Sequence, residues 1–145
     1  MKENSTPTDG KIRNIHQGIV RFNECDPLGI VWHGHYIVYF EDGREAFGRE
    51  HGMTYLEVQR NGFATPIVKT STEHLLPLKY GETFCVETEF VNSSSAKLIF
   101  TYKIFNGENQ LVCTGETVQV FIDDNRTLQL YNPDFFQQWK DKMGL

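Results

Sequence analysis

The sequence predicts an α+β domain in which one early helix packs against an antiparallel sheet. Apolar side chains recur at helical spacing in residues 36–50, and in several later segments apolar and polar side chains alternate between short turns. A helix with one apolar stripe must bury that stripe against a second layer. The later strands provide this layer.

The early helix is predicted over residues 36–50. Its apolar stripe consists of five residues, Tyr36, Tyr39, Phe40, Gly43 and Phe47. Gly43 within the stripe indicates a point where the sheet approaches the helix closely. Glu45 and Arg49 lie off the stripe and are spaced for an ion pair along the helix surface.

Most of the remaining chain is predicted to form strands. These strands cover residues 15–23, 63–72, 84–91, 98–104 and 111–122. In the last strand, one face is expected to carry Val112, Val118, Val120 and Ile122. Asn132 is predicted to cap a short C-terminal helix that has Pro133 at its first position.

Length and composition predict a single domain at residues 12–145. A chain of 145 residues has room for one hydrophobic core. Residues 1–11 are polar, and we expect a flexible N-terminal tail rather than a signal peptide. No stretch approaches the roughly 20 apolar residues of a membrane helix, so no transmembrane segment is expected.

Charge and cysteine usage narrow the class of protein. The formal net charge is -5 and there is no basic run, which argues against a nucleic-acid partner. The three cysteines are odd in number and none has Cys-x-x-Cys spacing. This argues against a disulfide framework or a cysteine zinc site, and a cytoplasmic location is expected.

Residues 23–36, NECDPLGIVWHGHY, are the most distinctive stretch and the candidate active site. Asp26 lies in a loop bent by proline and glycine, directly before the helix. Gly29 lets a ligand approach the backbone, and the helix start supplies unpaired N–H groups. A carboxylate facing such donors suits acyl transfer, because the donors stabilise an oxyanion while the carboxylate attacks or activates water.

Other interpretations of these residues stay open. Asp26 could serve only to cap a turn with Pro27 and Gly29. His33 and His35 could be imagined as metal ligands with Asp26, but alternate residues of an extended segment point to opposite faces, and we expect no metal. Glu41 and Glu45 could place a carboxylate on the helix, where a solvated face is the favoured interpretation. Without a Gly-x-Ser-x-Gly motif, no serine hydrolase is predicted.

The stretch Asp26-Pro27-Leu28-Gly29-Ile30-Val31-Trp32-His33, followed by Tyr36, resembles the signature of the 4-hydroxybenzoyl-CoA thioesterase family. It is also similar to the Tol–Pal-associated acyl-CoA thioesterases of that family, which often carry histidine where this chain has His33. Residues 65–68 and 76–82 extend the resemblance, which runs from about residue 15 to about residue 122.

The resemblance implies a hot-dog fold, with the helix wrapped by about five antiparallel strands. It implies an acyl-CoA thioesterase that releases free acid and coenzyme A, with no cofactor beyond the coenzyme A of the substrate. The active site would lie between subunits of a homodimer, and a homotetramer is expected because hot-dog sheets bury their edges by pairing.

The resemblance also assigns roles to residues. Asp26 would be the nucleophile or general base, the His33 backbone N–H would polarise the thioester carbonyl, and Gly29 would give the acyl group room. Expected substrate contacts are Trp32, Tyr36, Lys97 and, across the subunit interface, Thr65.

The chain also departs from the family pattern. His74 stands where the family often has tyrosine, and Lys97 is the one basic residue of residues 93–97. A hydroxybenzoyl group is therefore not implied, and an acyl-carrier-protein thioester stays open. Two other functions also stay open, a non-catalytic acyl-binding hot-dog protein and a hot-dog dehydratase. The sequence determines neither the identity of the acyl group nor whether the reaction proceeds through an anhydride or through activated water.

Overall fold

A computed structural model describes residues 11–145 of the chain. The expected N-terminal tail therefore falls, except for Lys11, outside the described residues. The helices are α1 (Tyr36–His51), α2 (Tyr55–Arg60) and α3 (Asp134–Lys142), and the strands are β1 (Arg13–Ile19), β2 (Phe63–Ala64), β3 (Ile67–His74), β4 (Thr83–Val91), β5 (Lys97–Asn106), β6 (Leu111–Val120) and β7 (Ile122–Asp123).

Five of the strands form one antiparallel sheet in the order β1-β4-β5-β6-β3. The short strands β2 and β7 pair with each other. Helix α1 lies across the inner face of the large sheet, which is the arrangement expected of a hot-dog fold. Strand β3 is an edge of the sheet, and its backbone pairs only with β6 within the described chain.

The apolar stripe of α1 makes the core, as the spacing predicted. Tyr39, Phe40 and Phe47 are at most 2% exposed. Phe40 stacks on Tyr102 of β5 with the ring centroids 4.5 Å apart. A Cβ added at Gly43 would lie 2.5 Å from the Thr88 hydroxyl, so this glycine does permit the close approach of helix and sheet.

The prediction that Val112, Val118 and Val120 share one face of β6 is wrong, because Val112 is fully buried and the other two valines are not. The sheet pairs Gln119 with Leu98 and Val118 with Ile99, and in this second half of the strand Thr117 and Gln119 are the buried residues. Val118 and Val120 are half-buried on the opposite face. Apolar character misled the prediction, because polar side chains occupy this part of the inner face.

Several element boundaries also differ from prediction. The strand predicted over residues 15–23 ends at Ile19, and a 3₁₀ turn follows at Phe22–Glu24. The strand predicted over residues 63–72 is split into β2 and β3. The long strand predicted to residue 122 ends at Val120, and Phe121 turns into the core before β7.

The predicted helices also need two corrections, one missing helix and one helix start. Helix α2 was not predicted, although Thr54 caps it by accepting the Glu57 N–H at 3.2 Å. The C-terminal helix begins at Asp134, one residue later than expected. Pro133 occupies the cap position, and the Asn132 amide instead donates to the Gln137 side chain at 2.8 Å.

Helix α3 closes the end of the core that lies beyond the C-terminus of α1. Trp139 packs edge-on against Phe90 and donates its indole N–H to the His51 carbonyl at 2.7 Å. The N-terminal end of α1 is left for the candidate site. Within residues 11–145, none of the helices has the length and apolar character that crossing a bilayer requires.

Candidate active site

The loop that carries Asp26 folds back on itself directly before α1. Cys25 and Val31 form an antiparallel bridge. The Asp26 N–H donates to the Ile30 carbonyl at 2.9 Å, and the Trp32 N–H donates to the Glu24 carbonyl at 3.0 Å. These bonds lay the segment with Asp26 alongside the segment that leads into the helix.

The tip of the loop is a tight turn that the Asp26 side chain itself caps. Asp26 Oδ1 accepts the Leu28 N–H at 2.8 Å, and the Gly29 N–H donates to the Asp26 carbonyl at 3.0 Å. Asp26 therefore does cap the turn, and it does so through Oδ1. Oδ2 has no hydrogen-bond partner among residues 11–145, so the turn orients the carboxylate and leaves one of its oxygens without a protein donor.

Gly29 has a φ of +76°, a left-handed conformation that favours glycine. A Cβ at this position would meet no atom within 4 Å. The backbone angle, rather than crowding by the protein, therefore requires glycine here, and the space beside the turn is open.

The helix begins with a 3₁₀ turn at His33–His35 that runs directly into α1. Within the described chain, the N–H groups of His33 and Gly34 have no acceptor. Trp32 is 51% exposed, and its ring lies against Gly34, where a Cβ would overlap it. The loop thus presents a carboxylate and, after Trp32, free donors at the positive end of the helix dipole.

Tyr36 lies beneath this surface rather than on it. Its side chain is 3% exposed, and burial raises the pKa of its phenol above the ordinary value. The ring meets His74 edge-on at 4.9 Å. The end of β3 is thereby attached to the helix start.

Glu24 is a residue of this site that the sequence interpretation missed. Its carboxylate accepts hydrogen bonds from Tyr39 at 2.9 Å and from His35 at 3.1 Å. No local motif signals these contacts, because the donors follow Glu24 by 15 and 11 residues. Within residues 11–145, no three His, Cys, Asp or Glu residues are grouped so as to hold a metal ion.

The remaining predicted site residues lie at the opposite end of the sheet. The Gln119 amide donates to the Thr65 carbonyl at 2.8 Å and to its hydroxyl at 3.1 Å. Lys97 begins β5 and pairs with Val120. One chain therefore brings together Asp26, Gly29, Trp32, His33 and Tyr36, and leaves Thr65 and Lys97 away from them.

A cavity of about 790 Å³ lies at this second end, between α1, α2 and the sheet. Its apolar wall includes Val58, Leu98 and Phe100, and its polar lining includes Thr65 and Gln119. Two helix carboxylates also line it. One of them, Glu45, forms the predicted ion pair with Arg49 at 2.7 Å, and the other is Glu41.

Comparison with known proteins identifies relatives over most of the chain. Over 120 residues it is 29% identical to YneP of Bacillus subtilis, a candidate acyl-CoA thioesterase, covering 83% of this chain and 87% of that protein. Over 104 residues it is 26% identical to YbgC of Escherichia coli, an acyl-CoA thioester hydrolase, covering 72% of this chain and 78% of that one.

A solved structure agrees with the fold. The DHNA-CoA thioesterase of Staphylococcus aureus superposes with a TM-score of 0.81 at 25% identity, covering 91% of both chains. Residues 20–140 match the thioesterase-like superfamily. The resemblance carried by the Asp26 loop is thereby confirmed, and the chain belongs to the thioesterase-like superfamily of hot-dog proteins.

Proposed function

We propose that the chain is a thioester hydrolase that converts an acyl-CoA, or an acyl-carrier thioester, into a free acid and a thiol. One observation carries the proposal: the Asp26 carboxylate, held by its own turn, lies in the loop that leads into the unpaired N–H groups of the helix start. The names of the relatives YneP and YbgC support coenzyme A as the thiol.

In the proposed reaction, the thioester carbonyl oxygen accepts the His33 N–H. Negative charge that develops on this oxygen faces the positive end of the helix dipole, which lowers the barrier. The free oxygen of Asp26 either attacks the carbonyl carbon, expelling the thiolate and forming an anhydride that water cleaves, or removes a proton from an attacking water. Both routes consume one water and release one acid and one thiol.

Substrate contacts follow from exposure around the turn. We assign the open space beside Gly29 to the acyl group at the thioester end. Trp32 is half-exposed next to His33, with the two rings 5.1 Å apart, and its ring is the proposed contact for the substrate chain. Tyr36 supports this surface from below.

We further propose that the site is completed in a homodimer formed through β3. Seven of its eight residues are exposed, including Val68 at 59%, and an edge strand whose backbone pairs on one side only within the described chain offers free N–H and C=O groups to a second strand. The strand runs from Ile67, beside Thr65, to His74, beside Tyr36. Antiparallel pairing centred on Ser71, near the middle of the strand, would set Val68 of a second copy opposite His74.

This pairing would bring the second end of one chain to the Asp26 loop of the other. Thr65 and the cavity of the second copy would then receive the acyl group, and Lys97 at the same end is the proposed contact for substrate phosphates. A tetramer of two such dimers is the larger assembly that we propose.

The proposed chemistry draws on no cofactor or metal beyond the coenzyme A of the substrate. A cytoplasmic location is part of the proposal, supported by the three free cysteines.

The test is thiol release from a panel of acyl-CoA, aryl-CoA and acyl-carrier thioesters, with Asp26→Asn assayed in parallel. We expect wild-type turnover of at least one thioester and its loss in the variant. Binding without thiol release would instead indicate a non-catalytic acyl-binding protein. Hydration of an enoyl-CoA without hydrolysis would indicate a dehydratase.

A further inference from the structure

Three hydrogen-bond donors converge on the carboxylate of Glu24. Oε1 accepts the Arg21 N–H at 2.8 Å and the Tyr39 hydroxyl at 2.9 Å, and Oε2 lies 3.1 Å from Nε2 of His35. The side chain is only 13% exposed. A carboxylate withdrawn from water needs such partners, and bonds to an ionised acceptor are stronger than bonds between neutral groups.

These donors come from both sides of the candidate active site. Arg21 precedes Asp26 in the chain, whereas His35 and Tyr39 follow His33 on the helix. The backbone carbonyl of Glu24 makes a fourth hydrogen bond between the two segments, because it accepts the Trp32 N–H at 3.0 Å. Glu24 therefore connects the segment that carries Asp26 to the helix start.

Tyr39 connects the Glu24 carboxylate to the hydrophobic core. Its side chain is 2% exposed and its ring lies 4.4 Å from the ring of Phe84. Burial raises the pKa of the Tyr39 phenol, and the hydrogen bond to Glu24 and its negative charge raise it further. The phenol consequently stays protonated and keeps donating to Glu24 throughout the range in which a thioesterase is assayed.

The hydrogen bonds of Asp26 itself act over a shorter range. They reach Leu28, Gly29 and Ile30, all within the same loop. They fix the shape of the turn but not the placement of the Asp26 carboxylate relative to the helix. That placement depends on contacts such as those of Glu24, which reach outside the loop.

We propose that Glu24 is a positioning residue for thioester hydrolysis, which holds the Asp26 carboxylate in alignment with the His33 N–H. This inference rests on the proposed function. Groups that react must be closely aligned, and a displacement of about 1 Å can slow a reaction about 100-fold. Glu24 itself touches no reacting atom.

The first variant is Glu24→Gln, which keeps the shape of the side chain but removes its charge and turns one acceptor into a donor. We expect kcat to fall about 10-fold to 100-fold, while KM stays within about twofold because the substrate contacts are unchanged. Glu24→Asp keeps the carboxylate and should recover part of the lost kcat.

Glu50→Gln is the matched control. Glu50 accepts a hydrogen bond from Asn14 at 2.7 Å near the other end of α1. Glu50→Gln therefore makes the same chemical change at a half-exposed carboxylate away from the Asp26 loop, and we expect wild-type kcat.

A double variant separates positioning from a loss of folded protein. If Glu24 acts through Asp26, adding Glu24→Gln to Asp26→Asn should lower the residual kcat no further, whereas independent effects would multiply. The melting temperature of each variant shows whether the protein is folded at the assay temperature.

Three results would overturn the inference: wild-type kcat in Glu24→Gln, full recovery of kcat on cooling to where the variant is folded, or multiplicative losses in the double variant. Failure of the proposed function is distinguishable. In that case the wild type itself releases no thiol from any thioester, and the inference falls with it.

Discussion

Tyr36 and His74 meet edge-on, with their ring centroids 4.9 Å apart. Tyr36 is the first residue of α1, and His74 is the last residue of β3. The contact therefore ties the helix start, where the candidate site lies, to the edge strand through which we expect a second copy to bind.

The first prediction concerns this contact. His74→Ala should lower the free energy of unfolding by about 0.5–1.5 kcal/mol, the worth of an aromatic pair. Urea unfolding measures it. Glu73→Ala is the control, because it changes the neighbouring exposed side chain and leaves the contact intact. Equal losses in the two variants would show that the ring pair contributes nothing specific.

The second prediction separates the structural and chemical roles of Asp26. Asparagine can still accept the Leu28 N–H and cap the turn, but it carries no charge. We expect Asp26→Asn to unfold like the wild type and to lose about 10²–10⁴-fold in kcat. Asp26→Ala should lose activity similarly and, in addition, about 1 kcal/mol of stability with the turn bond.

Thiol release and urea unfolding measure the two effects of Asp26 separately. A folded Asp26→Asn variant with near-normal turnover would contradict the proposed catalytic role. In that event Asp26 would be left with turn capping alone.

The third prediction follows from the φ of +76° at Gly29. No neighbouring atom would clash with a Cβ there, so the cost of Gly29→Ala is one of backbone strain, about 1–2 kcal/mol. Gly29→Asn should cost less, because asparagine tolerates the left-handed region. Unfolding midpoints of the two variants check the order, and an alanine variant as stable as the wild type would contradict it.

The fourth prediction concerns the close packing of α1 on β6. A Cβ at Gly115 would overlap the ring of Phe40 and lie 2.8 Å from the Ser71 carbonyl. We expect Gly115→Ala to destabilise the fold by about 1–3 kcal/mol. Adding Phe40→Leu should restore part of the loss, and a double-mutant cycle by urea unfolding detects this coupling. If the changes in the free energy of unfolding are strictly additive, the Phe40 ring and the added methyl group do not clash.

The sequence predicted the parts of this molecule that local patterns determine. The α1 stripe at helical spacing and the loop around Asp26 were both identified, because each lies in one continuous stretch. The inner face of the second half of β6 was not identified, because Thr117 and Gln119 are buried there while Val118 and Val120 occupy the opposite face. Hydrophobicity alone cannot predict an inner face that carries polar side chains.

Contacts between residues that are distant in the sequence were the other feature that sequence patterns could not predict. Glu24 gathers its donors only after the loop has folded back on α1, so no spacing in the sequence signals its role. Thr65 was predicted to contact the acyl group across a subunit interface, and within one chain it lies at the other end of the sheet from Asp26, hydrogen-bonded to Gln119. Whether the two ends meet depends on assembly, which the sequence of one chain does not encode as a local pattern.

The last prediction tests that assembly. Ser71 is exposed near the middle of β3 and pairs with Glu116 of its own chain. Ser71→Arg should keep the fold, because the new charge lies next to Glu116. In a dimer paired about the middle of β3, however, two arginines would face each other, and like charges directly opposite each other destabilise strand pairing.

We therefore expect Ser71→Arg to shift the molar mass measured by light scattering from dimer towards monomer. Thiol release should fall with it, because each Asp26 loop would lose the Thr65 end of the second copy. Gln138→Arg, on the exposed face of α3, adds the same charge outside both β3 and the segment that carries Lys97, and it should leave both measurements unchanged. An active wild-type monomer, or a fully active Ser71→Arg dimer, would show that the site does not need pairing through β3.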